Sequence, residues 1–152
     1  MPEAWRIVRA KLVRTAFSGE GAAKAGGRWN SRGRRVVYTS STQSLAALEN
    51  LVHLNPPILF KYKIFRLEFA QNLVEEIAVA DLPKDWRAEP PPPSTKYIGN
   101  AWVLESRSAV LAVPSVIIPA ELNYLLNPAH PDSNKIRIGK AADFTFDPRL
   151  LG

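Results

Sequence analysis

Glu49 is the residue of this sequence whose setting most demands an explanation. The residues from Ser40 to the proline pair Pro56-Pro57 suit a helix running from about Thr42 to Leu54, with Ser40 or Ser41 as its cap and Gln43 completing a capping box. At roughly 100° per residue, Leu45, Leu48 and Val52 form an apolar stripe, and Glu49 falls beside it rather than opposite. A carboxylate there is either paired, with His53 one turn on or with a nearby arginine, or it faces a cavity. Only the second arrangement leaves it free to stabilise positive charge on a ligand. A cluster of guanidinium groups lies early in the chain: Arg6, Arg9, Arg14, Arg28, Arg32, Arg34 and Arg35. With 20 basic against 14 acidic residues and a net charge of +6, they fit an anionic small molecule, a nucleic acid or an acidic protein, or else form a solvated basic face. Ser115 stands alone as a hydroxyl within the apolar run Ala109 to Ile118, where backbone hydrogen bonding would satisfy it.

Other chemistries are excluded or weak. No cysteine is present, so disulfide, thiolate and zinc-thiolate sites are out. Two histidines, His53 and His130, are too few to make a metalloenzyme the expectation. Ser18 to Gly27 is glycine-rich but no G-K-[ST] closes it, so it is not a phosphate loop of the Walker type; a flexible flap over a ligand suits it better. No helix-turn-helix, RNP or zinc-finger pattern supports nucleic-acid binding, and the interleaved aromatics of single-strand binders are not obvious.

The elements that must position these groups can be read in order. Trp5 to Val8 reads as a strand with Arg6 inside it, where an edge-strand arginine is often solvated. Arg35 to Thr39 reads as a second strand. Phe60 to Phe69 alternates apolar and charged residues, the pattern of a half-buried antiparallel strand. Leu73 to Ala80 suggests another. Glu89 to Pro93, with its four prolines, reads as an extended connector. Ser94 is placed to cap a helix from about Thr95 to Ser106, with Ile98, Trp102 and Val103 inward. Ala109 to Ile118 reads as buried strand broken at Pro114-Ser115, Pro119 to Pro128 as a turn with a short helix or extended piece, and Lys135 to Ile138 and Phe144 to Phe146 as short strands. The result is a single α+β domain over residues 1–152, with a mainly antiparallel mixed sheet and flanking helices. Its 46% hydrophobic and 22% charged content is ordinary for a globular chain of this length. The charged N-terminal stretch shows no signal peptide and no run reaches membrane-spanning length, which sets a cytoplasmic location as the expectation.

Several motifs in order carry a resemblance: W-R-I near the start, S-G-E-G-A before G-G-R-W-N, V-V-Y-T-S, A-L-E-N-L-V-H, V-P-S-V-I-I-P, N-Y-L-L-N-P-A-H-P and a closing D-F-T-F-D-P-R-L. Together they resemble the RES-domain family, named for its arginine, glutamate and serine. The resemblance implies a fold similar to ADP-ribosyltransferases and the toxin of a toxin–antitoxin pair. The toxin's substrate would be NAD+, broken down by hydrolysis or phosphorolysis, with transfer of ADP-ribose to a protein as the alternative. It implies an Xre-type helix-turn-helix antitoxin as partner, leaves a homodimer within that complex open, and calls for no metal, no cofactor beyond NAD+ as substrate, no membrane and no direct nucleic-acid contact. The family arginine carries over to Arg6 or Arg28, both taken as site residues, the tyrosine to Tyr38, the glutamate to Glu49 and the serine to Ser115. The chemistry is coherent: guanidinium forks suit a pyrophosphate, a tyrosine face suits the cationic nicotinamide, and a carboxylate offsets oxocarbenium charge on the ribose. Ser115 would hold the nicotinamide amide or the ribose. No E-x-E pair surrounds Glu49, which favours NAD+ breakdown over arginine modification, and Ser40-Ser41-Thr42 is assigned to capping rather than catalysis.

Overall fold

Alternation of apolar side chains along Glu3–Arg9 (β1) and Tyr62–Glu68 (β3) lets both strands bury two faces, and they pair antiparallel along their whole length, from Glu3↔Glu68 to Arg9↔Tyr62. The computed structural model describes residues 1–53 and 60–151 of the chain. The remaining strands are Val37–Ser40 (β2), Val74–Glu76 (β4), Val110–Pro114 (β5), Leu122–Leu126 (β6), Arg137–Ile138 (β7) and Ala142–Phe144 (β8). They form one sheet in the order β4-β5-β6-β2-β1-β3-β7, with β8 also pairing to β3. β4 and β5 run parallel and the other pairs are antiparallel, so the expected mixed, mainly antiparallel α+β sheet is what forms. Between β2 and β1 the ladder shrinks to one pair, Trp5↔Ser40.

Among the described residues, three α-helices accompany the sheet: Glu20–Ala25 (α1), Gln43–Leu51 (α2) and Pro93–Leu104 (α3). One core cluster gathers Ala4, Val8, Val37, Phe65, Leu67, Phe69 and Leu126. On the opposite side of the pleat, Ile7 and Ile64 pack with Ala46 of α2, while Leu111, Val113 and Leu125 pack with Trp29 and with Trp102 of α3. Each large apolar side chain so buried contributes roughly 1.5–3 kcal/mol. Among the described residues, no helix is long and apolar enough to cross a membrane.

Several elements depart from the sequence expectation, each for a local reason. β1 lies inside the sheet, so Arg6 is not an edge residue facing water. The glycine-rich Ser18–Gly27 stretch is not an open flap: it holds α1, with Gly19 (φ 77°) and Gly26 (φ 73°) supplying the left-handed turns at its two ends. The cap of α2 is Thr42, whose hydroxyl accepts from the Leu45 N–H at 3.0 Å, not Ser40 or Ser41. α2 ends at Leu51, its buried residues are Leu45 and Ala46, and Leu48 and Val52 are 36% and 61% exposed. Leu54 and the Pro56-Pro57 stop lie outside the described residues. α3 starts at Pro93 rather than after Ser94, consistent with proline's fixed φ at a first helical turn, and the Ser94 hydroxyl instead donates to Asp85 at 2.6 Å. Leu122–Leu126 is a strand, so the short-helix option there is not taken. Leu73–Ala80 contributes only the three-residue β4 between two 3₁₀ turns.

Candidate active site

The loop that precedes β2 is built around Asn30. Its side-chain amide is fully buried and donates to the carbonyls of Ala22, Ser31 and Arg34 at 2.9, 3.2 and 3.1 Å. With the nitrogen committed, the Asn30 Oδ1 is left to accept from the Tyr38 hydroxyl at 2.5 Å. That hydroxyl also accepts from the Trp29 N–H at 3.1 Å. Gly27 is required here, since a Cβ on it would stand 2.6 Å from the Tyr38 oxygen. Burial pushes the Tyr38 phenol well up, against weaker opposition from the Trp29 N–H and the Arg28 charge, so it remains a neutral donor.

Glu49 projects from α2 toward β6. The Asn123 amide donates to its Oε2 at 2.5 Å, and the Ser40 hydroxyl donates to the Asn123 Oδ1 at 2.9 Å. Register explains the meeting, because Ser40 and Asn123 are directly paired across β2 and β6. Burial raises the Glu49 pKa above its ordinary value; the Asn123 hydrogen bond, then His53 and Arg28, pull it back. Among the described residues no ion pair joins Glu49 to His53, so its hydrogen-bond partner is an amide across the sheet rather than the helix neighbour. The charge of Arg28 bears on both Tyr38 and Glu49, so it lies within electrostatic reach of each.

Arg28 is itself nearly enclosed, its side chain 11% exposed. Its Nη1 donates to the carbonyls of Trp86 and Ala88 at 3.0 and 2.8 Å, and its Nη2 to Glu89 at 2.5 Å. From below, the Thr95 hydroxyl donates to the Arg28 carbonyl at 2.7 Å, tying the loop to the first turn of α3. Gly99, one turn further, lets α3 approach closely: a Cβ there would lie 1.7 Å from the Trp29 carbonyl oxygen.

Arg6 reaches this region through the main chain. Its Nε donates to the Ala16 carbonyl at 2.6 Å and its Nη1 to the Tyr38 carbonyl at 2.9 Å. Burial pushes its guanidinium down to about 10. No carboxylate pairs with it among the described residues, so a buried cation is left with only carbonyl partners. Ser115 follows β5 and is fully buried. Its oxygen accepts from the N–H groups of Ile117 and Ile118, both at 3.1 Å, so it caps a turn, as a hydroxyl in an apolar run is expected to. Arg28 is therefore within electrostatic reach of Tyr38 and Glu49, Arg6 is joined to the Tyr38 main chain, and Ser115 is engaged in a separate turn. Asn30, Asn123 and Thr95 were not singled out by the sequence; only the two asparagines sit in motifs that could have flagged them, G-G-R-W-N and N-Y-L-L-N-P.

A half-buried carboxylate, an enclosed guanidinium and a fixed phenol thus sit on a mainly antiparallel α+β sheet. Residues 3–147 match the RES domain. The chain is 40% identical to "Toxin Res" of Photorhabdus laumondii over 97% of this chain and 96% of that one. It is 39% identical to the "Prs ADP-ribosylating toxin" of a Sphingobium species over 97% and 95% of the two chains. In fold it is similar to the M. tuberculosis MbcT-MbcA toxin-antitoxin complex, with a TM-score of 0.77 at 18% identity, covering 98% of this chain and 86% of that one. The chain belongs to the RES domain family.

Proposed function

We propose that this chain is the toxin of a toxin–antitoxin pair and that it acts in the cytoplasm by cleaving the nicotinamide–ribose bond of NAD+. The observation that carries the chemistry is the half-buried Glu49 carboxylate, held by Asn123 and within electrostatic reach of Arg28, whose charge also bears on Tyr38. The toxin role draws on full-length relatives named as toxins and on a fold shared with a toxin–antitoxin complex.

In the proposed reaction the bond from ribose C1 to the nicotinamide nitrogen breaks, and its electron pair leaves with a neutral nicotinamide. Positive charge develops on the ribose, and the Glu49 carboxylate offsets it. A water oxygen then bonds to C1, its proton passing to Glu49 and on to solvent, giving ADP-ribose; phosphate in place of water gives ADP-ribose 1″-phosphate. Tyr38 offers its ring to the nicotinamide, since its hydroxyl is already engaged by Asn30 and Trp29. Arg28 supplies charge for the pyrophosphate, and Arg6 reinforces the positive potential behind Tyr38. Ser115 contributes to the nicotinamide or ribose pocket through the turn it caps.

The name of the Sphingobium relative favours a second outcome of the same step, in which a protein side chain takes the place of water. An antitoxin of the helix-turn-helix Xre type that presents acidic groups to this chain, whose net charge is +6, would silence the site by covering it. The purified chain, incubated with NAD+ with and without phosphate and read by mass, tests the proposal. Nicotinamide with ADP-ribose or its phosphate is expected; intact NAD+ throughout rejects it.

A further inference from the structure

We propose that Asn123, oriented by Ser40, is a positioning residue that holds the Glu49 carboxylate ionised and fixed in orientation. The inference rests on the proposed role of Glu49 in NAD+ cleavage.

Three observations converge on it. The Ser40 hydroxyl, the Asn123 amide and the Glu49 carboxylate form a directed chain, with bonds of 2.9 and 2.5 Å. Ser40 has one proton to give and Asn123 Oδ1 receives it. That fixes which end of the amide faces Glu49 and presents an N–H, not a carbonyl, to the carboxylate. Both supporting side chains are almost closed to solvent, 4% exposed for Ser40 and 7% for Asn123, and neither is needed to cap α2, a task Thr42 performs. A polar pair this deeply buried has to satisfy itself, and here it does so by ending on the Glu49 carboxylate.

The consequence concerns charge. A donor that bonds the carboxylate form favours that form, while burial favours the acid. The other charges bearing on Glu49 are the Arg28 guanidinium, from the loop before β2, and His53, in the turn just past the end of α2. From the sheet, β1 brings Ile7 against α2, and β2 and β6 bring Ser40 and Asn123. Among the described residues, only Asn123 touches the carboxylate with a donor. It is therefore the group whose loss most directly favours the protonated form of Glu49.

The test is the pH dependence of NAD+ consumption by the purified full chain, compared with Asn123→Ala, Asn123→Asp, Ser40→Ala and Glu49→Gln, each with a thermal melt. Asn123→Ala should lose up to roughly tenfold in kcat on the acid side of the profile with little change in KM, because its acid limb should move up by about one pH unit. Ser40→Ala should shift the limb in the same direction by less, because the amide becomes free to turn. Asn123→Asp should shift it further, because two carboxylates then face one another. Should Asn123→Ala fail to fold, the limbs of Ser40→Ala and Asn123→Asp decide. Wild-type turnover and an inactive Glu49→Gln, together with acid limbs unmoved in the variants, would overturn the positioning role while leaving NAD+ cleavage intact. A fall in kcat with an unmoved limb would overturn it as well, since that is damage to structure alone. Absence of NAD+ consumption by the wild type would instead overturn the underlying assignment, and the role with it.

Discussion

The Arg6 guanidinium donates to the main-chain oxygen of Tyr38 at 2.9 Å, and this side chain spans the seam where β1 and β2 keep a single paired position. With its second bond to Ala16, Arg6 replaces ladder hydrogen bonds that the diverging strands cannot make. Lysine has no planar fork to reach both carbonyls. Arg6→Lys should lower stability by about 1–3 kcal/mol, the cost of a lost charged hydrogen bond in a desolvated place. Denaturant unfolding measures it. Unchanged stability would mean the seam is held by something other than Arg6.

Arg28 poses a question of competition. The Glu89 carboxylate, 68% exposed, sits on the guanidinium where an anionic substrate group would. If pyrophosphate displaces it, Glu89→Gln should lower KM for NAD+ and leave kcat unchanged, because the effect lies in binding ground and transition states alike. Steady-state kinetics decides. A KM that stays the same or rises would show that Arg28 serves the Trp86–Glu89 loop rather than the substrate.

The raised pKa of Glu49 has a consequence for stability. Its folded-state value lies above the unfolded one, so folding favours the protonated form. The benefit is fully present below the ordinary value of 4.5 and is lost as pH rises through the folded value. Glu49→Gln carries no such charge and retains an acceptor for Asn123. Its melting temperature should therefore gain on the wild type between about pH 4 and about pH 7. A constant or shrinking difference across that range would say that burial does not tax the Glu49 charge.

Gly99→Ala should be severe although alanine is the better helix former by about 1 kcal/mol. The added methyl would collide with the Trp29 carbonyl, so α3 must move away from the loop that carries Arg28 and packs on Tyr38. Overpacking of this kind costs roughly 1–3 kcal/mol, occasionally more. A thermal melt at or above the wild-type value would refute the close approach.

Much of this arrangement was legible along the chain, and the reasons why the rest was not are physical. β1, β3 and β5 announce themselves through alternation or a continuous apolar run, and Tyr38 and Glu49 lie in motifs that bracket one strand and one helix. Asn123 did not stand out because its partners are 83 and 74 residues away, and only the Ser40↔Asn123 register joins them. Ser40 read as a cap because three adjacent hydroxyls precede α2, and only the backbone trace shows that Thr42 takes that task. The helix inside the glycine-rich stretch was hidden because glycine suppresses helix propensity, while carbonyls of α1 that accept from Asn30 and Gly33 help hold it. The wheel placed Leu48 and Val52 inward because it assumed a longer helix than the one that forms.

The central claim is that Glu49 carries NAD+ cleavage, and a single comparison bears on it most directly: the rate at which purified wild type and Glu49→Gln release nicotinamide from NAD+, read by mass. Glutamine keeps the volume and an acceptor for Asn123 but removes the charge that offsets the oxocarbenium. The wild type should turn NAD+ over, and the folded variant should lose on the order of 10²–10³ in kcat. A folded Glu49→Gln protein that releases nicotinamide near the wild-type rate would contradict the account.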